Sequence, residues 1–164
     1  MHKKKLSNPI YKGLISINME ESHLNNKSEE NIKASELLIT NNLYAPSVHC
    51  SYYATFQFLT CKWSQYSKLT FKEIANNSKG SGSHNYLIKE VIDYIKTNEL
   101  DGVTDTVQRN VKNTNIQKLK RNIKDLKIFR KKSDYQNICI GVEISEQSLE
   151  YSKDIINKIK NYMP

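Results

Sequence analysis

Glycine, proline and cysteine are all scarce in this 164-residue chain, with five, three and three copies. So few turn formers argue against a loop-rich β-sandwich and favour long helices with short connections. The three cysteines, Cys50, Cys61 and Cys139, are odd in number, widely spaced and free of any CxxC pair. That pattern argues against a disulfide framework or a zinc site and fits reduced thiols in a cytoplasmic protein. No apolar run of seven or more follows the basic start MHKKK, and no stretch approaches a membrane span. Neither a signal peptide nor a membrane association is therefore expected, and the sequon-like Asn26-Lys27-Ser28 carries no meaning without secretion. Histidine is sparse as well, and none follows His84. Without HxxH, HExxH or a carboxylate cluster at ligand spacing, no metal site and no cofactor are expected. The cysteines have no local base in sequence, so no nucleophile stands out.

Positive charge is abundant, and it is concentrated. The chain carries 25 Lys/Arg against 17 Asp/Glu, a net +8. Ten of the basic residues and one acid, Asp125, lie between Arg109 and Lys132, which leaves the remainder with fifteen basic and sixteen acidic residues. One segment makes the protein basic. Either it meets nucleic acid or another acidic partner, or it solvates a helix face.

The length suits one domain with a real core. Residues 1–28 read as a polar, irregular N-terminal arm with a short apolar anchor at Leu14-Ile15-Ser16-Ile17. A helical period begins at Glu29, with Ile32, Ala34, Leu37 and Leu38, and breaks at Asn41-Asn42. After Pro46, placed where a first turn tolerates it, Val48, Tyr52, Phe56, Leu59 and Trp63 trace one face of a long helix. Residues 76–82 read as a loop that lacks the Gly-Lys-Ser/Thr ending of a phosphate-cradling turn. Ser83 is the expected cap of the next helix, striped by Leu87, Val91 and Tyr94/Ile95 and ended by Asp101-Gly102. In the basic segment Ile116, Leu119, Ile123, Leu126 and Arg130 share a seam, with Lys118, Lys120, Arg121, Lys124, Lys127 and Lys131 off it. An extended connector at 138–142 leads to a last helix, expected to be capped by Ser145, with Leu149, Ser152, Ile156, Ile159 and Met163 in register. The fold class is all-α: an up-and-down bundle of about five helices, with a helical domain over 29–164.

Arg130 is the informative exception, a guanidinium in an apolar register. It needs a partner, and Asp134 stands four residues on. The pair either closes a helix end or presents Arg130 to a phosphate, with Tyr135 following at once. His84, in a first helical turn, is either a locally bonded residue or a proton-transfer group for a nearby substrate. His49 stands one turn before Tyr53 and can bond to it. His2 and His23 lie in polar sequence and carry no signal.

Four stretches together resemble HEPN-domain proteins. "ASELLITNNLYAPSVHCSYYATFQFL" (34–59) is similar to the family's first helical hairpin with its Tyr-Tyr-Ala core. "SHNYLIKEVI" (83–92) resembles the Ser-His start of its third helix, and "LKIFRKKSDY" (126–135) its Leu-x-x-x-Arg-x-x-x-Asp-Tyr stretch. The closing "SEQSLEYSKDIINKIKNYM" (145–163) has the same character. The resemblance covers residues 29–163 and implies a helical bundle, often a homodimer. It also implies a setting in toxin–antitoxin, phage-defence or RNA-processing systems, commonly beside a nucleotidyltransferase-type partner. Many members are metal-independent endoribonucleases marked by Arg followed four to six residues later by His, and that motif is absent here. The catalytic pair of that branch therefore has no counterpart.

The expectation is a non-nuclease binding module for RNA, a nucleotide or a protein partner. Arg130, Asp134, Tyr135, Tyr53, Lys120, Lys124 and Lys127 are its candidate ligand-binding residues. Tyr52 lies in the apolar seam, whereas Tyr53 points about 100° away and is expected to bring its hydroxyl to Arg130–Asp134 or to a dimer face. Two alternatives stay open: a diverged endoribonuclease using His84 and Arg130, and a purely dimerising interaction module.

Overall fold

The computed structural model describes the backbone of residues 9–80 and 82–164 and the side chains of residues 23–80 and 82–164. Six helices follow one another: α1 (Pro9–Thr40), α2 (Tyr44–Ser67), α3 (Phe71–Asn77), α4 (Ser83–Leu100), α5 (Thr106–Tyr135) and α6 (Val142–Tyr162). The described residues contain no strand, and the stretch before α6 is irregular.

α2 is the central helix, because its small residues and its large ones serve different neighbours. Ser47, Ser51, Ala54 and Thr55 are all buried. Against α1, Ser28 donates to the Ala54 carbonyl at 2.8 Å and Ser35 to the Ser47 carbonyl at 3.0 Å. Against α6, Thr55 donates to Ser152 at 2.9 Å and Ser47 pairs with Ser145. Short side chains let these helices approach closely, and each buried hydroxyl finds a partner. The larger Tyr52, Phe58, Leu59 and Trp63 join the core with Leu87, Val91 and Ile95 of α4 and Ile116, Leu119, Ile123 and Leu126 of α5. Ile155, Ile156, Ile159 and Met163 close it from the C-terminal end.

The pairings also set direction. Ser47–Ser145, Thr55–Ser152 and Tyr66–Pro164 rise together, so α2 and α6 run parallel. Tyr53 with Arg130 and His49 with Asp134 rise and fall oppositely, so α5 runs antiparallel to α2. Lys127 with Asn85 and Lys112 with Glu99 set α4 antiparallel to α5. The result is a helical bundle around α2.

Several expectations need correction. α1 starts at Pro9, so residues 9–28 are helical rather than irregular. At the end of that stretch Ser28 is buried against α2, so a hydroxyl stands where an apolar residue was sought. His2 lies outside the described residues, and the apolar anchor at residues 14–17 outside the described side chains. A short helix, α3, precedes the loop and takes in Asn76 and Asn77. Its signature is legible in retrospect, since Thr70 accepts from the Glu73 N–H while the Glu73 carboxylate accepts from the Thr70 N–H. Ser83 is not a cap but the first residue of α4; Gly82, at φ 78°, stands before it and holds a conformation that favours glycine. Ser145 is likewise no cap, because α6 starts at Val142 and Ser145 is fully buried against Ser47. On α2, Phe56 is only half-buried while Phe58 is buried, as expected of a helix covered on more than one side.

Candidate functional site

α2, the first turn of α4 and the last turns of α5 bring distant residues together. Arg130 is the hub. Its side chain is 15% exposed, its Nη2 donates to the Tyr53 hydroxyl at 3.1 Å, and its Nε lies 2.6 Å from Asp134 Oδ2. The Nε–H does not point along that contact, which makes it an ion pair rather than an aligned hydrogen bond. The guanidinium also sits 4.9, 5.4 and 5.8 Å from the ring centres of Tyr135, Tyr53 and Tyr52, within cation–π range. Burial works against its charge, but Tyr53, Asp134 and Tyr135 outweigh it and raise its pKa.

Asp134 is shared. His49 Nδ1 lies 3.1–3.2 Å from both its oxygens, and the Ser133 hydroxyl, which donates to the Ala45 carbonyl at 2.8 Å, lies 3.3 Å from Asp134 Oδ1. His49 therefore bonds across to α5 rather than to Tyr53, against whose ring it packs at 4.5 Å between centres.

His84 is neither exposed nor locally bonded. Its Nδ1 is hydrogen-bonded to the Tyr52 hydroxyl, and its ring stacks on Phe56 with centres 4.0 Å apart. The Tyr52, His84 and Phe56 rings are nearly parallel, with interplanar angles of 2°, 10° and 11°. Burial, reinforced by Lys127 and then Arg130, pushes the His84 pKa down to about 4. Burial likewise raises that of Tyr52 despite the pull of Arg130, so the phenol keeps its proton. At neutral pH the pair is a neutral imidazole hydrogen-bonded to a phenol.

Beside this cluster lies a groove of about 520 Å³ between α4 and α5. Lys120, Lys124, Lys127 and Lys131 line it from α5, with Asn85, Ile88 and Lys89 from α4. Lys127 donates to Asn85 across the gap. Burial, then the charges of Lys131 and Arg130, depress the Lys127 pKa. Cations held this close repel one another, and an anion among them relieves the repulsion.

The expected site residues thus separate into two neighbouring sets. Arg130, Asp134, Tyr53 and Tyr135 meet in the tyrosine cluster, joined by His84 through Tyr52. Lys120, Lys124 and Lys127 line the groove, which Arg130 does not. Sequence reasoning missed Asn85, Lys89 and Phe56 as site residues. Asn85 adjoins His84 in the chain, so the same first turn could have flagged it.

Among the described residues no group of three or more His, Cys, Asp or Glu could hold a metal ion, and no helix is long and apolar enough to cross a membrane. The architecture is that of a helical bundle with a lysine-lined groove beside an arginine–tyrosine cluster in which Arg130 is largely buried, Tyr53 half-buried and Tyr135 exposed. No known protein family, characterised protein or solved structure matches this chain.

Proposed function

We propose that this chain is a HEPN-like binding module, without the family's nuclease motif, that binds RNA through its phosphates. The observation that carries the reading is the groove: four lysines of one helix line it with no carboxylate among the lining residues, while the fifth lysine, Lys89 of the neighbouring helix, is already ion-paired with Glu90 and Asp93 at 3.2 Å. Such a surface gives affinity with little sequence selectivity. Arg130 serves it indirectly, as the brace that ties the end of α5 to α2. A role in proton transfer is less well supported. His84 shares Tyr52 with Arg130, but a general base works best with a pKa near the operating pH, and this one is held near 4.

Titration of a fluorescent single-stranded RNA at two salt concentrations tests the proposal. Four phosphate contacts predict a slope of log K against log salt of roughly −3, or about a 50-fold loss between about 50 and 200 mM salt. Replacing Lys124 and Lys131 with Gln together should halve that slope. Undetectable or salt-independent binding overturns the reading.

A further inference from the structure

A second cleft, about 620 Å³, opens where α1 passes the middle of α2 and the start of α3. Leu24, Lys27, Phe56, Gln57, Thr60 and Phe71 line it, so the wall is mainly apolar with a few polar groups at its edge. Its size falls within the range of small-ligand sites. Phe56 links it to the cluster above. One face of that ring is covered by His84 at 4.0 Å, and the same residue forms the wall of the cleft. Tyr52, His84 and Phe56 thus form a set of near-parallel rings that leads to the cleft. The lysine groove starts immediately beyond, since Asn85, the neighbour of His84, lines it and accepts from Lys127. Phe56 in the wall of one cleft, His84 stacked on it and Asn85 in the lining of the other connect the two.

We propose that this cleft holds one unpaired nucleobase of the strand whose phosphates lie in the lysine groove. The inference rests on the RNA-binding reading and narrows it to single strands. Every base has a flat π-face, so stacking on aromatic rings tolerates sequence, and phosphates alongside meet the positive charge. A duplex cannot supply an unstacked base at that position. The polar edge suits a base as well. Gln57 Oε1 already accepts from Asn31 at 3.0 Å, which leaves its amide N–H groups to donate, and Thr60 donates to the Phe56 carbonyl at 2.8 Å, which leaves its oxygen to accept.

The test compares two ligands, a short oligouridylate carrying one 2-aminopurine and inorganic polyphosphate. Wild-type protein should bind both, and the aminopurine fluorescence should fall on binding as the base stacks. Phe71→Leu should weaken the RNA about tenfold or more, the range for loss of one stacked base, and leave polyphosphate binding unchanged. An unchanged far-ultraviolet circular dichroism spectrum certifies a folded variant. If Phe71→Leu does not fold, the aminopurine signal of the wild type decides alone. Bound RNA whose fluorescence does not fall, or equal RNA affinity in the folded variant, overturns the base cleft while leaving the groove reading intact. Failure of the wild type to bind either ligand removes the groove reading and this one together.

Discussion

Replacing Asp134 with Asn probes the joint between α5 and α2 with almost no change in shape. Asp134 is 15% exposed, lies 2.6 Å from the Arg130 Nε and receives His49 on its other side. Fully exposed ion pairs contribute about 0.2–1 kcal/mol, whereas breaking a buried pair costs about 3–5 kcal/mol. This pair lies between those limits: largely buried, yet with its guanidinium still held by three aromatic rings and the Tyr53 hydroxyl after the carboxylate is gone. A cost of about 2 kcal/mol follows, which for a chain of this size lowers Tm by about 4–8 °C. Thermal unfolding at low ionic strength measures it. The same substitution made in an Arg130→Met background separates the pair from everything else, because His49 is present in all four proteins of the cycle. A coupling of roughly 1–3 kcal/mol is expected between residues that share a contact. A coupling under about 0.5 kcal/mol, the scatter of independent sites, refutes the assignment of Arg130 as the brace.

Two further outcomes follow from the same geometry. The His84 pKa is depressed to about 4 from 6.5, so the unfolded chain binds more protons between those values. Stability should therefore be fully present above pH 6.5 and fall as the pH drops towards 4, more steeply in wild type than in His84→Asn. An NMR titration of the His84 ring with a midpoint near 6.5 would contradict this. Leu119 is completely buried in the core, and Leu119→Ala should cost about 2–5 kcal/mol, read as a drop in the urea midpoint. A loss below about 1 kcal/mol would mean that the core at this level of α5 can collapse around the gap.

Much of the bundle is legible along the chain because helical burial repeats at three and four residues. Ile116, Leu119, Ile123 and Leu126 could be read directly as the inner face of α5, and all four are buried. The lysines off that seam could be placed in solvent by the same periodicity. What escaped the reading were positions where hydroxyls replace apolar side chains. Ser28, Ser35, Ser47, Ser51 and Ser145 are buried, yet in sequence they resemble surface residues or caps. Their burial depends on partners 12 to 98 residues away, so no local pattern announces it.

The site divides in the same way. The i,i+4 spacing of Arg130 and Asp134 is a property of one helix, and it was readable before any fold was known. So was the divergence of Tyr52 from Tyr53, since adjacent helical residues point about 100° apart. The chain alone thus determined most of the long helices, the inner seam and basic face of α5 and the local arginine–aspartate pair, but not the first part of α1, the short α3 or the outward turn of Leu37. Only the packing decided that His49 would reach Asp134 and that His84 would stack on Phe56 beneath Tyr52. It also decided that Asn85 and Lys89 would close a groove with the lysines of α5. Those contacts join different helices, and the small hydroxyl residues that let α1 and α6 seat closely against α2 help set the relative heights of the helices. Local periodicity fixes which face of a helix turns inward, but the height at which helices meet is a property of the assembled core.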